Sequence, residues 1–416
     1  MSERLDVRLG EYESVALPED QLTSSDRARL ASLPKRFTLT PARVGWLLKA
    51  EATVGVLNLD RIRLVVNTKL AFSGESLIRW LCYALATPVP HETTIREWSV
   101  DRDGFADIVA AALLGACRTL LRDGLRRDYV RNHQVIPVLR GRFDAVSQAT
   151  HRYGTLDRLH VDTFDRSVAI WENEVCGHAL RRASTLVRDP QLSRQLSVLA
   201  VEFPTSSTIF ASVQHLNRAR YNRLNRRYQP AHLWAGLVLN GGGVADLLVD
   251  NGATGDSLLL DMPRLWEAVI VRLVGDAAPA GSRIVGSAGP HSITVHGDLN
   301  RRTTFRPDVL LQLPNGTFLP ADAKYKTYGN HRIAAPDVHQ LLTYTAGYAT
   351  DPARTGVIIY PSPHQNTHRT LDIRANGQTL GTIHAIGIAT VSDPAHALEW
   401  VRAVIPSSSR RADGAQ

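Results

Sequence analysis

The chain has 416 residues, 44% of them hydrophobic, with 48 Lys+Arg against 40 Asp+Glu for a formal charge of +8. It is too long for one ordinary domain and apolar enough for full-sized cores, and its basic, Arg-dominated surplus favours a polyanionic partner. Three cysteines (Cys82, Cys117, Cys176) are too few and too scattered for a disulfide framework or zinc cluster; the charged opening predicts no secretory leader, and with no apolar run of about 18 residues a cytoplasmic protein without membrane spans is expected.

Residues 1–75 read as a β-rich N-terminal module. Val54 to Leu59 and Ile62 to Val66 are β-prone runs split by Asp60-Arg61, and Ser24-Ser25-Asp26 opens one short helix. Residues 76–255 read as a mainly helical middle. Leu77, Trp80, Leu81 and Leu85 follow helical spacing, and longer helices are predicted over Phe105 to Leu125, Ser167 to Arg188 and Gln191 to Glu202. Between them, Val135 to Asp144 reads as a strand or hairpin with a tight turn at Gly141. Arg218, Arg220, Arg223 and Arg226 interleave with Tyr221 and Tyr228, which suits a solvated helix face or a DNA contact in which Arg meets phosphate and Tyr stacks on bases. Gly241-Gly242-Gly243 reads as a connector.

Residues 256–405 alternate helix and strand, an α/β pattern. Val357 to Tyr360 is an apolar buried strand. Asp393-Pro394 places an N-cap and N1 pair before a last helix ending near Val404. Residues 406–416 form a Ser/Arg/Gly tail expected to be disordered. His331, His339, His364 and His368 fit no zinc spacing and read as structural.

Chemistry concentrates between Arg306 and Lys324. Asp308 stands before an apolar strand, Pro314-Asn315-Gly316 is a turn, and a second strand ends in Asp322-Ala323-Lys324. Alternation puts Asp322 and Lys324 on one face, and folding at the turn brings Asp308 and Asp322 to one sheet edge. Two carboxylates and an ammonium suit phosphodiester hydrolysis. The acids are hard oxygen ligands for Mg²⁺, with Glu267 on an upstream amphipathic helix as a third, and Lys324 can stabilise charge added in the transition state. Gln340 and Tyr344, four apart on a downstream helix, can support the site.

Pro307-Asp308…Asp322-Ala323-Lys324 looks like the PD-(D/E)XK nuclease motif. The wider pattern resembles the McrC family, nuclease subunits of the McrBC modification-dependent restriction system. It is carried by Val54-Gly55-Val56-Leu57, Leu64 to Leu70, Leu139-Arg140-Gly141-Arg142-Phe143-Asp144, Leu258 to Glu267, Asp322-Ala323-Lys324-Tyr325-Lys326, Asp337…Gln340…Tyr344 and Ile359-Tyr360-Pro361. Asn67-Thr68-Lys69 departs from the family's usual Pro before Lys, and Trp266 from its usual Phe.

The resemblance implies an α+β multidomain chain ending in a restriction-endonuclease-like core. It implies a DNA endonuclease subunit of a modified-cytosine-directed complex, docked on a hexameric McrB-like AAA+ GTPase. GTP would be used by that partner, since this chain has no phosphate-binding Gly-rich loop ending in Lys-Ser/Thr. A basic residue that stimulates the GTPase is also implied, for which Arg140 and Arg142, flanking the Gly141 turn, are the candidates. The rival readings are a related nuclease acting alone or with another motor in DNA repair, and a non-catalytic adaptor that only activates the motor.

Overall fold

A computed structural model describes residues 4–69, 74–85, 89, 105–187, 189–239, 257–286, 293–294, 304–326, 328, 333–348 and 354–405. The tail from 406, Gly241-Gly242-Gly243 and His331 lie outside the described residues.

The N-terminal module holds β1 (Leu5–Gly10), β2 (Ser14–Leu17), α1 (Ser24–Ala31), β3 (Phe37–Pro41), β4 (Trp46–Ala50), β5 (Thr53–Asn58) and β6 (Ile62–Asn67). α1 forms where expected because Thr23 and Asp26 make a reciprocal capping box. One small sheet runs β2-β4-β3, and a second contains β1-β6-β5. β5 and β6 are buried almost throughout, with Leu57, Ile62 and Leu64 inside.

The middle begins with α2 (Gly74–Ala84) and α3 (Phe105–Arg122). It continues through β7 (Asp128–Ile136), β8 (Arg142–Phe143), α4 (Ala145–His151) and β9 (Leu159–Ser167), and closes with α5 (Trp171–Leu186), α6 (Pro190–Val201), α7 (Ile209–Asn217) and α8 (Gln229–Leu239). The five long helices α3 and α5–α8 pack together around Leu113, Cys117, Cys176, Leu180 and Ala235. All three cysteines are buried free thiols.

Two features of the middle differ from expectation. β7, β8 and β9 form a separate three-stranded antiparallel sheet whose strands pair only with one another. β9 follows the turn at Gly154 and pairs across the whole length of β7, a non-local pairing that local pattern does not specify. The Arg218–Tyr228 run is not a helix face. α7 stops at Asn217, and the arginines occupy the turns and short 3₁₀ segment before α8.

The C-terminal part holds β10 (Ser257–Asp261), α9 (Met262–Ala277), β11 (Arg283–Val285), β12 (Ile293–Thr294), β13 (Thr304–Phe305), β14 (Val309–Gln312) and β15 (Phe318–Ala323). α10 (Ala335–Tyr348), β16 (Thr355–Ser362), β17 (Thr367–Ala375), β18 (Gln378–Ala389) and α11 (Pro394–Val404) complete it. A six-stranded mixed sheet runs β11-β14-β15-β16-β18-β17. α11 is capped by Asp393 with Pro394 at N1, as its sequence requires.

Side chains alternate across this sheet. Val309, Leu311, Ala321, Val357 and Ile359 join α9 and the middle helices in one continuous core, while Leu310, Ile358 and Tyr360 face α10 through Leu341 and Tyr344. α9 fits because Leu265, Trp266, Val269, Ile270 and Leu273 form its buried stripe.

A boundary near 256 separates the parts in chain order but not in hydrogen bonding. β10 pairs antiparallel with β5 and completes the N-terminal sheet as β1-β6-β5-β10. Gly55 makes this possible: its φ is +133°, and an added Cβ would lie 1.9 Å from Leu258 O. Gly55→Ala is expected to cost about 3 kcal/mol or more, read as a lowered denaturant midpoint; an unchanged midpoint would show that β10 does not lie against β5.

Candidate functional site

The turn at Leu313–Gly316 closes as the sequence requires. Gly316 has φ +82°, its N–H donates to Leu313 O, and Asn315 Oδ1 accepts from Thr317 N and Oγ1. It sets β14 antiparallel to β15 with Val309 opposite Ala321. The next pair outward in that register is Asp308 and Asp322. Both point to the α10 face, since Leu310 and Ile358, which share their parity, pack there.

Asp308 is half-buried and accepts from Ala323 N at 2.7 Å through Oδ2. Asp322 is 1% exposed, and its Oδ2 lies 2.6 Å from Lys324 Nζ. Oδ2 accepts no aligned hydrogen bond, so the contact is an ion pair held by charge rather than direction. Lys324 Nζ donates to Gln340 Oε1 at 2.8 Å, Gln340 Nε2 to Tyr344 Oη at 2.7 Å, and Tyr344 Oη to Arg306 O at 2.5 Å. This relay fixes the ammonium from α10 and anchors the segment entering Asp308. The structure therefore brings together Asp308, Asp322, Lys324, Gln340 and Tyr344.

Burial and the neighbouring Asp308 push the Asp322 carboxyl up to about 6. Burial also raises Asp308, with the Glu267 charge adding to it, while Ala323 N–H and Lys324 oppose the rise. The pair is crowded with negative charge that one ammonium does not neutralise.

Glu267 is only a neighbour of this pair. It projects from α9, which covers the opposite sheet face, and it is exposed. Desolvation raises its carboxyl, with Arg264 opposing and Asp322 adding to the rise. Among the described residues, Glu267, Asp308 and Asp322 do not bring one oxygen each within 4.8 Å of one another; only His133, Asp144 and Asp162 form such a group. One buried and one half-buried carboxylate with raised affinity for positive charge, Asp322 carrying an unaligned oxygen, nonetheless suit a hard divalent cation.

One residue beside the site, Glu11, escaped the sequence reading. Glu11, just after β1, is 3% exposed and accepts from Tyr325 Oη at 2.8 Å and Lys69 N at 2.9 Å. Burial raises its carboxyl to about 7, opposed by those two donors. A lone Glu at a strand end carries no local signal, and only tertiary folding sets it beside the residue that follows Lys324. Asp337, at the start of α10, is buried and accepts from Lys326 Nζ at 3.3 Å and Tyr328 Oη at 2.5 Å.

The other candidates lie apart. Arg218, Arg220, Arg223 and Arg226 are exposed in the turns before α8. The interleaved tyrosines do not offer stacking faces: Tyr228 is buried and donates to Asn173 Oδ1, and Tyr221 bonds His232 Nδ1. Arg140 and Arg142 are exposed beside Gly141 on the β7–β9 sheet, where Arg140 pairs with Asp165 at 2.7 Å. His368 stacks on His384. Among the described residues no helix is long and apolar enough to cross a membrane.

Comparison with known proteins follows from this geometry. The family model described as McrBC 5-methylcytosine restriction system component matches residues 48–361. No curated protein matches the chain. A chain in the structure titled "Refined half-complex from tetradecameric assembly of Thermococcus gammatolerans McrB AAA+ hexamers with bound McrC" aligns at TM-score 0.64 and 14% identity, covering 96% of this chain and 100% of that one. A second structure, the cryo-EM Thermococcus gammatolerans McrBC complex, aligns at TM-score 0.46 and 17% identity over 66% of this chain and 88% of that chain. The family match spans β5, β6 and β10 of the N-terminal sheet, the helical middle, the acid pair and most of the strand after α10, and the chain belongs to the McrC family of McrBC 5-methylcytosine restriction system components.

Proposed function

We propose that the chain is the DNA-cutting subunit of a GTP-dependent restriction complex directed at modified cytosine, and that it docks on a McrB-like AAA+ hexamer. The observation that carries this reading is the pair of half-buried Asp308 and buried Asp322 with Lys324 held against it by Gln340. A solvated surface hairpin has no reason to bury two carboxylates side by side, where each raises the cost of ionising the other.

Asp308 and Asp322 would hold Mg²⁺, with Glu267 reaching it through solvent rather than directly. The bound ion would supply charge neutralisation at the scissile phosphate and a more acidic water. Lys324 places a positive charge where the phosphate gains negative charge in the transition state. Gln340 keeps that ammonium aimed, and Tyr344 keeps Gln340 in place. GTP hydrolysis belongs to the partner in this reading.

The β7–β9 sheet is the proposed docking arm. Among the described residues its strands pair with no other sheet, and Val138, Leu139, Val146, Tyr153 and Leu156 are exposed on the loops and short helix that join them. Exposed apolar groups clustered on a projecting element suit a protein partner. Arg140 and Arg142 lie beside them, available to a GTPase site; Arg140→Ala with Arg142→Ala is the variant that asks whether they act there.

Lys324→Ala and Asp322→Asn are each expected to lower cleavage of methylated duplex DNA at least about 100-fold while leaving stimulation of the partner's GTPase intact. Full cleavage by Asp322→Asn would favour the adaptor reading, and robust cleavage without a GTPase would favour a nuclease acting alone.

The raised acid gives a signed pH dependence. The folded chain binds a proton at Asp322 up to about pH 6, whereas an unfolded Asp loses it near 3.8. Without divalent cation, the favourable contribution is present below the unfolded value and is lost as pH rises through about 6. Thermal unfolding between pH 4 and 7 should show this loss, Asp322→Asn should flatten it, and Mg²⁺ affinity should fall as pH drops below that window. A slope that is the same in wild type and Asp322→Asn would refute the assignment.

Arg223→Ala with Arg226→Ala should lower the salt slope of DNA binding by roughly 0.9 per arginine that contacts phosphate. An unchanged slope would remove the patch from the DNA path.

A further inference from the structure

We propose a second metal site, separate from the acid pair and formed by His133, Asp144 and Asp162 on the β7–β9 sheet, that takes a divalent transition ion such as Zn²⁺. The three ligand atoms all lie within 4.8 Å of one another. His133 Nδ1 is 3.4 Å from Asp162 Oδ1 and 3.8 Å from Asp144 Oδ2.

His133 Nδ1 and Asp162 Oδ1 meet as a long hydrogen-bonding pair, and Asp144 Oδ2 stands farther off. A charge-assisted hydrogen bond from imidazole to carboxylate is shorter, about 2.7–2.9 Å. Ligands each about 2.0–2.2 Å from a tetrahedral ion stand roughly 3.3–3.6 Å apart, which the 3.4 Å pair meets, while Asp144 at 3.8 Å would draw in slightly on binding. One nitrogen and two carboxylate oxygens make a borderline-hard donor set, and the exposed edge of His133 leaves room for solvent as a further ligand.

The surroundings orient each ligand. His133 Nε2 lies 3.1 Å from His160 Nδ1; with the proton on Nε2, the Nδ1 lone pair is turned toward both carboxylates. Asp144 is held by Ser147, which donates from N at 3.0 Å and from Oγ at 2.7 Å. Asp162 is buried and uses its other oxygen, Oδ2, for Arg131 at 2.6 Å, leaving Oδ1 toward His133.

An ion there joins three segments. His133 is on β7, Asp162 on β9, and Asp144 follows β8 as the N-cap of α4. The segment between His133 and Asp144 carries Arg140 and Gly141 in a turn and Arg142 in β8, which pairs with β9. Metal would tie that turn further to β9 and hold the two arginines in one arrangement.

The test uses the untagged full-length chain with Asp308→Asn and Asp322→Asn, so that the acid pair does not compete for metal. Titration with Co²⁺ should give one equivalent of binding with a visible d–d band that Zn²⁺ displaces. His133→Gln and Asp144→Asn should each weaken it at least about tenfold; Asn retains the helix cap, which separates metal loss from cap loss. A readout that needs no further variant is amide exchange, in which Zn²⁺ should slow residues 137–144. No stoichiometric Co²⁺ binding, a band unchanged in His133→Gln, or exchange at 137–144 indifferent to Zn²⁺ would each overturn the site and leave the three residues as an ion-pair cluster.

Discussion

The antiparallel register of β14 and β15 is the constraint from which the candidate site follows. Asp308 and Asp322 are distant along the chain and would repel in water. The turn at Asn315-Gly316 leaves them opposite one another at the end of a ladder whose next three pairs, Val309–Ala321, Leu310–Pro320 and Leu311–Leu319, are apolar. The favourable burial of Val309, Leu310, Leu311 and Ala321 fixes that register. A slip of one residue would turn Asp322 and Lys324 together toward the α9 core and Ala321 toward α10. The carboxylates are thus held together by packing that does not involve them, and their raised affinity for positive charge is the electrostatic result.

The sheet carrying these acids is joined to the N-terminal module at two places. β10 belongs by hydrogen bonding to the N-terminal sheet, yet leads directly into α9 and Glu267. Glu11, at the far end of that sheet, accepts from Tyr325, the residue after Lys324. A shift of the module against the C-terminal sheet would strain both connections. This provides a physical route by which events at the N-terminal part reach the end of β15, and it makes the module more than an appendage.

The β7–β9 sheet is built on the opposite principle. It shares no strand with the rest, exposes apolar side chains, and is braced by charged and imidazole groups rather than by a large core. Such an element keeps its shape while leaving its surface available. The helical middle, whose core is continuous with that beneath the C-terminal sheet, supplies the rigid base from which it emerges.

The amino-acid sequence by itself determined the local elements with strong signals. These are the β5 and β6 runs, the helices with apolar stripes, the capped α1 and α11, the turn at Gly316, and the pairing of Asp322 with Lys324 on one strand face. Each is decided by alternation, periodicity or a turn residue within a few positions, so it can be read from neighbours in the chain. Tertiary structure alone decided that β9 pairs with β7, that β10 crosses to the N-terminal sheet, and that Glu11 meets Tyr325. It also turned Tyr221 and Tyr228 inward and left Glu267 exposed on α9, within electrostatic reach of the acid pair. Those outcomes depend on which surfaces bury one another across long separations, and local patterning leaves that choice open until the whole core is packed.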